Sequence, residues 1–131
     1  KRPIVIIDIE TATQIEPEIR IDANKNMIGN YAYGYKEIQK GKRVFIVRYV
    51  GRSDNDLRQE IKMRHKTDAK FTDNDCQCFR FSYAENKKDA YEKECRNYHD
   101  FGESISLLNE VHPAKPEDDD IYHCPIVHCD K

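Results

Sequence analysis

Residues 31–51 read YAYGYKEIQKGKRVFIVRYVG, and their pattern decides the fold. Two runs rich in aromatic and β-branched residues, Tyr31 to Lys36 and Arg43 to Val50, flank a polar stretch from Glu37 to Lys42 that contains Gly41. Such side chains favour the pleated, half-buried surface of a strand, and a short Gly-bearing joint between two such runs predicts a β-hairpin. Gly51 ends the second run. Arg52-Ser53-Asp54-Asn55-Asp56 then supplies side-chain oxygens that can accept from the free N–H groups opening a helix, predicted at about Asp56 to His65.

Downstream, a loop from Lys66 to Asp75 leads into Cys76 to Tyr83, whose alternation puts Phe79, Phe81 and Tyr83 on one face of a third strand. A second helix is predicted at about Asn86 to Asp100. There Tyr91, Cys95 and Tyr98 recur at i, i+4, i+7, and Gly102 supplies a stop. A short apolar turn, Ile105 to Leu108, precedes Asn109 and a Pro- and acid-rich segment, His112 to Asp120. Upstream, Pro3 to Glu10 reads as a strand and Thr11 to Asn30 as a polar connection. Asp8 and Glu10 form the kind of carboxylate pair that opens DEDD-type exonuclease domains, but the chain is too short to supply the rest of one. The expected organisation is an N-terminal strand and connection at 1–29, a core at 30–110 and a Cys/His-containing acidic tail at 111–131. The fold class is α+β, with a small, mainly antiparallel three-stranded sheet flanked by helices.

The order hairpin, helix, strand, helix resembles the GIY-YIG nuclease core. Tyr31-Ala32-Tyr33 stands where that family has its GIY word, and Tyr49-Val50-Gly51-Arg52-Ser53 where it has YIG. Leu57 through His65 matches its basic helix, and Phe79-Arg80-Phe81 followed by Ala90-Tyr91-Glu92-Lys93-Glu94 matches its third strand and Glu-bearing helix. The likeness spans about 80 residues in four ordered matches, which is more specific than any one of them.

What the resemblance implies is a metal-dependent endonuclease that hydrolyses nucleic-acid phosphodiester bonds, with DNA expected before RNA. Tyr33 and Tyr49 would activate or position the attacking water. A Tyr hydroxyl titrates near pH 10, so it needs a nearby cation to act as a base at neutral pH. Glu94 would bind Mg²⁺ or Mn²⁺, hard cations often held by only one or two carboxylates together with phosphate and water. Glu92 points about 200° away around the helix and reads as solvated. Arg58, Lys62 and His65, at i, i+4, i+7, would share a face that offers cations to the phosphate, and Asn109 would lie near the metal. Lys42, Arg43, Arg52, Lys62 and Arg64 are the expected nucleic-acid contacts. One departure stands out. The family's catalytic Arg falls on Glu60 or Ile61 here, leaving Arg58 or Arg64 to replace it through a shifted register, or the active site partly degenerate.

Charge distribution supports a phosphate-binding face. The net charge is −2, yet Lys36 to Lys70 holds eleven Lys or Arg against five Asp or Glu, whereas Phe71 to Lys131 holds seven against fourteen. A basic segment within an acidic chain is what localised backbone binding requires, and a solvated, salt-bridged helix face is the alternative. Apolar residues are 38% of the chain and charged residues 35%, and the longest apolar runs, Ile4 to Ile7 and Val44 to Val47, fall far short of the roughly 18 residues of a membrane span. No signal-type segment is visible, so a cytoplasmic location and no membrane partner are expected. The odd count of five cysteines argues for reduced thiols rather than a disulfide framework. Cys124, His128 and Cys129, with His123, resemble half of a zinc knuckle that Cys76 and Cys78 could complete in space, against the plainer reading of ordinary tail residues. Two rivals to the nuclease are a non-catalytic nucleic-acid-binding module on the same fold and a protein-interaction domain whose basic stretch binds acid.

Overall fold

The computed structural model describes residues 13–14, 27–73, 76–117 and 121–131. The strand expected at Pro3 to Glu10, with its Asp8 and Glu10, lies outside the described residues. The elements are β1 (Thr13–Gln14), β2 (Gly29–Gln39), β3 (Lys42–Ser53), α1 (Leu57–Thr67), α2 (Ala69–Asp73), β4 (Cys78–Tyr83), α3 (Lys87–Asp100) and α4 (Glu103–Ser106). The strands form one sheet in the order β1-β4-β2-β3, with every pairing antiparallel. The three expected strands are its body. Two-residue β1, inside the segment expected to be a polar connection, adds to the β4 edge.

The hairpin is longer and tighter than its sequence suggested. Its strands pair as far as Gln39 opposite Lys42, so the expected six-residue joint shrinks to Lys40 and Gly41, at φ 50° and 75°. Both residues are left-handed, which gives a two-residue loop the twist its strands need, and Gly41 adopts that conformation without a Cβ penalty. At the other end β3 continues past Gly51 to Ser53. Between Tyr33 and Gly34 the register shifts: Tyr33 faces Tyr49 but Gly34 faces Val47, so Arg48 is the extra residue of a β-bulge. The backbone carbonyl of Arg48 instead accepts from Leu108 N–H at 2.6 Å, and its guanidinium donates to the Ser106 carbonyl at 2.8 Å.

Each face of the sheet has its own core. On one, Tyr31, Tyr33, Leu57, Ile61, Phe71, Cys76 and Phe79 pack together under α1 and α2. The other gathers Ala32, Phe45, Val47, Val50 and Cys78 against Tyr98 and Leu107. A third, smaller cluster joins Tyr91 and Cys95 of α3 to Tyr122 and Cys124 of the C-terminal segment. Helix α3 is thus held from two sides. Burying each Leu or Ile here stabilises the fold by roughly 1.5–3 kcal/mol relative to exposure.

Caps fix both main helices where the sequence puts them. Asp56 accepts from Gln59 N–H at 3.1 Å to start α1, and Asn86 accepts from Asp89 N–H at 2.8 Å to start α3. The stop at Gly102 holds, with φ 102° and its N–H on the His99 carbonyl. Two expectations fail. The loop after His65 contains α2, which delivers Phe71 to the core, and the apolar turn at Ile105 is helical with Ile105 92% exposed. Among the described residues no helix is long and apolar enough to cross a membrane.

Candidate functional site

Three tyrosines of the hairpin stand on one face of the sheet. Ring centroids are 5.1 Å apart for Tyr31 and Tyr33, 5.8 Å for Tyr33 and Tyr49, and 6.3 Å for Tyr31 and Tyr49. Gly51 makes this possible, because a Cβ there would lie 2.5 Å from the Tyr31 ring. The hydroxyls part company. Tyr33 is fully buried and donates to the Ile61 carbonyl at 2.6 Å, so its expected place beside the attacking water is taken by the backbone of α1. Tyr31 donates to Glu60 Oε2 at 3.0 Å. Burial raises the pKa of all three, those of Tyr31 and Tyr33 well above that of free tyrosine, with Arg64 acting in the opposite sense on each. At neutral pH these hydroxyls are donors rather than bases. Tyr49 is the half-buried one, and Glu94 and Glu60 also act on its titration.

Glu94, the expected metal ligand, reaches from α3 to β3. It is buried, and its Oε1 accepts from Arg52 Nη1 at 2.6 Å. Arg52 also pairs with Asp54 at 2.9 Å, and its guanidinium covers the Tyr91 ring at 5.3 Å. Burial pushes the Glu94 carboxyl up to about 7, while the Arg52 cation works in the opposite sense. Arg52 was expected to contact nucleic acid. With two carboxylates against it, it is neutralised within the fold. Glu92 pairs with Lys88 at 2.8 Å on the outer side of α3.

On α1 the buried stripe is Leu57, Ile61 and His65. That corrects the expected cationic face of Arg58, Lys62 and His65: the His65 ring packs edge-on to Tyr33 at 5.5 Å, and its Nε2–H donates to the Cys76 carbonyl at 3.0 Å. His65 thus belongs to the buried stripe, and Lys62 stays exposed. Ile61 is core, and Glu60 binds Arg64 at 3.1 Å as well as Tyr31. Of the two candidate replacement arginines, Arg64 is the one in the electrostatic neighbourhood of the tyrosines. Arg58 keeps a buried Nε with no hydrogen-bond partner among the described residues. Lys62 is exposed, and so are Lys42 and Arg43 at the hairpin tip. Seven residues of strand separate Lys42 from Tyr49, roughly 20 Å, so the tip would meet a different part of any extended ligand.

Asn109, expected near the metal, clamps β3. Its Nδ2 donates to the Val50 carbonyl at 2.8 Å and its Oδ1 accepts from Val50 N–H at 3.0 Å, both buried. The amide thereby acts like one residue of an additional strand. Sequence reasoning also missed Lys70, whose ammonium lies 5.6 Å from the Tyr49 centroid. Lys70 lies on α2, within the segment whose sequence pattern predicts a loop.

The tail cysteines meet partners other than those expected. Cys124 and Cys129 gather with His99 and His112, the four ligand atoms all within 4.8 Å of one another, a grouping that could hold a metal ion. Cys76 and Cys78 are buried in the two sheet cores, on opposite faces, and His123 and His128 stand outside the group. All five cysteines are free thiols. No family model, curated protein or solved structure matches this chain.

Proposed function

We propose that this chain is a metal-dependent endonuclease of the GIY-YIG type that hydrolyses phosphodiester bonds in nucleic acid, DNA before RNA. The observation that carries the reading is a convergence. Tyr49 and Arg52, from one sequence word, meet Glu94 from a helix 42 residues beyond Arg52, with the Arg64 cation acting on the same tyrosine. A buried carboxylate already holding one cation has the chemistry to hold another, so Glu94 fits Mg²⁺ or Mn²⁺. When bound, that ion would supply positive charge to the phosphate oxygens.

The chain's own residues do the rest. Tyr49, a donor at neutral pH, orients the water or the phosphate oxygen it faces. Arg64, aimed by Glu60, stabilises charge that develops as the water oxygen bonds to phosphorus and the P–O bond to the leaving oxygen breaks, the water's proton passing through solvent to that leaving oxygen. Lys62, Arg58, Lys42 and Arg43 bind the phosphate backbone. Arg52 competes with the metal for Glu94.

That competition favours a second reading, a nucleic-acid-binding module without catalysis, together with Glu60 at the position where the resemblance calls for Arg. Incubating the protein with plasmid, branched DNA and RNA, with and without Mg²⁺, separates the two on a gel. Products that require Mg²⁺ support the nuclease. Salt-sensitive binding without products in Mg²⁺ or Mn²⁺ assigns the binding module, and no salt-sensitive binding at all removes both.

A further inference from the structure

We propose that His99 Nε2, His112 Nε2, Cys124 Sγ and Cys129 Sγ hold one Zn²⁺ that fastens the C-terminal segment to α3. Zinc in a closed site takes four ligands tetrahedrally, with Zn–S near 2.3 Å and Zn–N near 2.0–2.1 Å, so neighbouring ligand atoms stand roughly 3.3–3.8 Å apart. Here Cys129 Sγ and His112 Nε2 are 3.5 Å apart and the whole set lies within 4.8 Å. A small contraction completes the tetrahedron.

The two imidazoles are already turned for this task. His99 donates through Nδ1 to Glu103 Oε2 at 2.7 Å, and His112 donates through Nδ1 to the Pro113 carbonyl at 2.9 Å. With Nδ1 engaged in this way, each ring has its Nε2 left for the thiols, the carboxylate–histidine and carbonyl–histidine arrangement that supports ligating histidines. His99 Nε2 is buried and makes no hydrogen bond with any described residue. An imidazole nitrogen sealed from water without a partner is costly unless something binds it.

The donor set selects the ion. Two thiolates and two imidazoles suit Zn²⁺, whereas Mg²⁺ and Ca²⁺ require oxygen ligands. Four protein ligands leave no open position for water, which makes the role structural. The segment it anchors needs an anchor: residues 121–131 contain no helix or strand, and their burial rests on Tyr122 and Cys124 against Tyr91 and Cys95. An open cleft of about 520 Å³ beside His99, His112 and Cys129 gives the ion a way in.

The full-length protein, purified without chelator, should contain one zinc per chain by plasma mass spectrometry. Growth in Co²⁺ should give the intense d–d absorption of a tetrahedral site together with a thiolate charge-transfer band. Cys124→Ser with Cys129→Ser should lose the metal, while Cys76→Ser and Glu94→Gln keep it. Less than about a tenth of an equivalent of zinc, with no cobalt spectrum and no shift in melting temperature on adding Zn²⁺, overturns the site. So does zinc that survives the double Cys variant or departs with Glu94→Gln. Should the double variant fail to fold, the cobalt spectrum of the parent decides alone.

Discussion

Arg52 Nη1 lies 2.6 Å from Glu94 Oε1, and each side chain keeps about a tenth of its exposure. An ion pair so enclosed is held by geometry more than by net energy, since taking both charges out of water costs about as much as their attraction returns. Its main effect is to fix where a carboxylate from α3 stands relative to β3.

Glu94→Gln should abolish Mg²⁺-dependent cleavage, a loss of roughly 100-fold or more, of the size seen when a charge-stabilising group is removed from an active site. Nucleic-acid binding should survive. Glu92→Gln is the matched control, because Glu92 pairs with Lys88 away from Arg52. Equal cleavage by the parent and both variants would remove Glu94 from the chemistry.

Stability should depend on pH through the same residue. Burial lifts the Glu94 carboxyl from 4.5 to about 7 in the folded chain. Between those values the folded state holds a proton that the unfolded state has released. The stabilisation is fully present below about 4.5 and is lost as pH rises through about 7. Without added divalent cations, the melting temperature of the parent minus that of Glu94→Gln should fall between about pH 5 and pH 8. A difference that grows with pH would mean that Arg52 keeps Glu94 ionised throughout.

Binding to a DNA duplex should weaken steeply with salt. If Arg58 and Lys62 each neutralise one phosphate, replacing both with Ala lowers the slope of log K against log salt by about 1.8, at roughly 0.9 per contact. Fluorescence anisotropy across a salt series measures this. An unchanged slope would turn the exposed face of α1 away from the nucleic acid.

Asn109→Ala should cost stability rather than metal affinity. It strands the buried N–H and carbonyl of Val50, at about 1–3 kcal/mol for each unsatisfied group. A melting temperature lowered by roughly 5 °C or more is expected for a domain of this size, with cleavage largely retained at low temperature. Normal stability with lost cleavage would restore Asn109 to the metal site.

Much of the frame was legible because its causes are local. The β-branched run at Val44 to Val47, the capping oxygens of Asp56 and Asn86, and the stripe of Tyr91, Cys95 and Tyr98 each act within a few residues. What sequence concealed was mostly set at a distance. Whether His65 faced phosphate or core depended on α2, which brings Phe71 beneath it. The partner of Glu94 came from another element, and nothing near Arg52 in sequence beyond Asp54 announced its pairing. The histidines that meet Cys124 and Cys129 stand 12 and 25 residues before Cys124, a spacing without a short motif.

The extra residue at Arg48 works as a phase change in β3. Alternation counted back from Val50 would send Val47 and Phe45 to the opposite side of the sheet, yet all three lie in one apolar cluster. Two half-strands of opposite parity are therefore joined at Arg48: one presents Tyr49 beside Tyr33, and the other keeps Val47 and Phe45 seated against Leu107 and Tyr98. Deleting Arg48 would place the halves in step, so that the chain could satisfy either the tyrosine face or the seat of Val47 and Phe45, but not both.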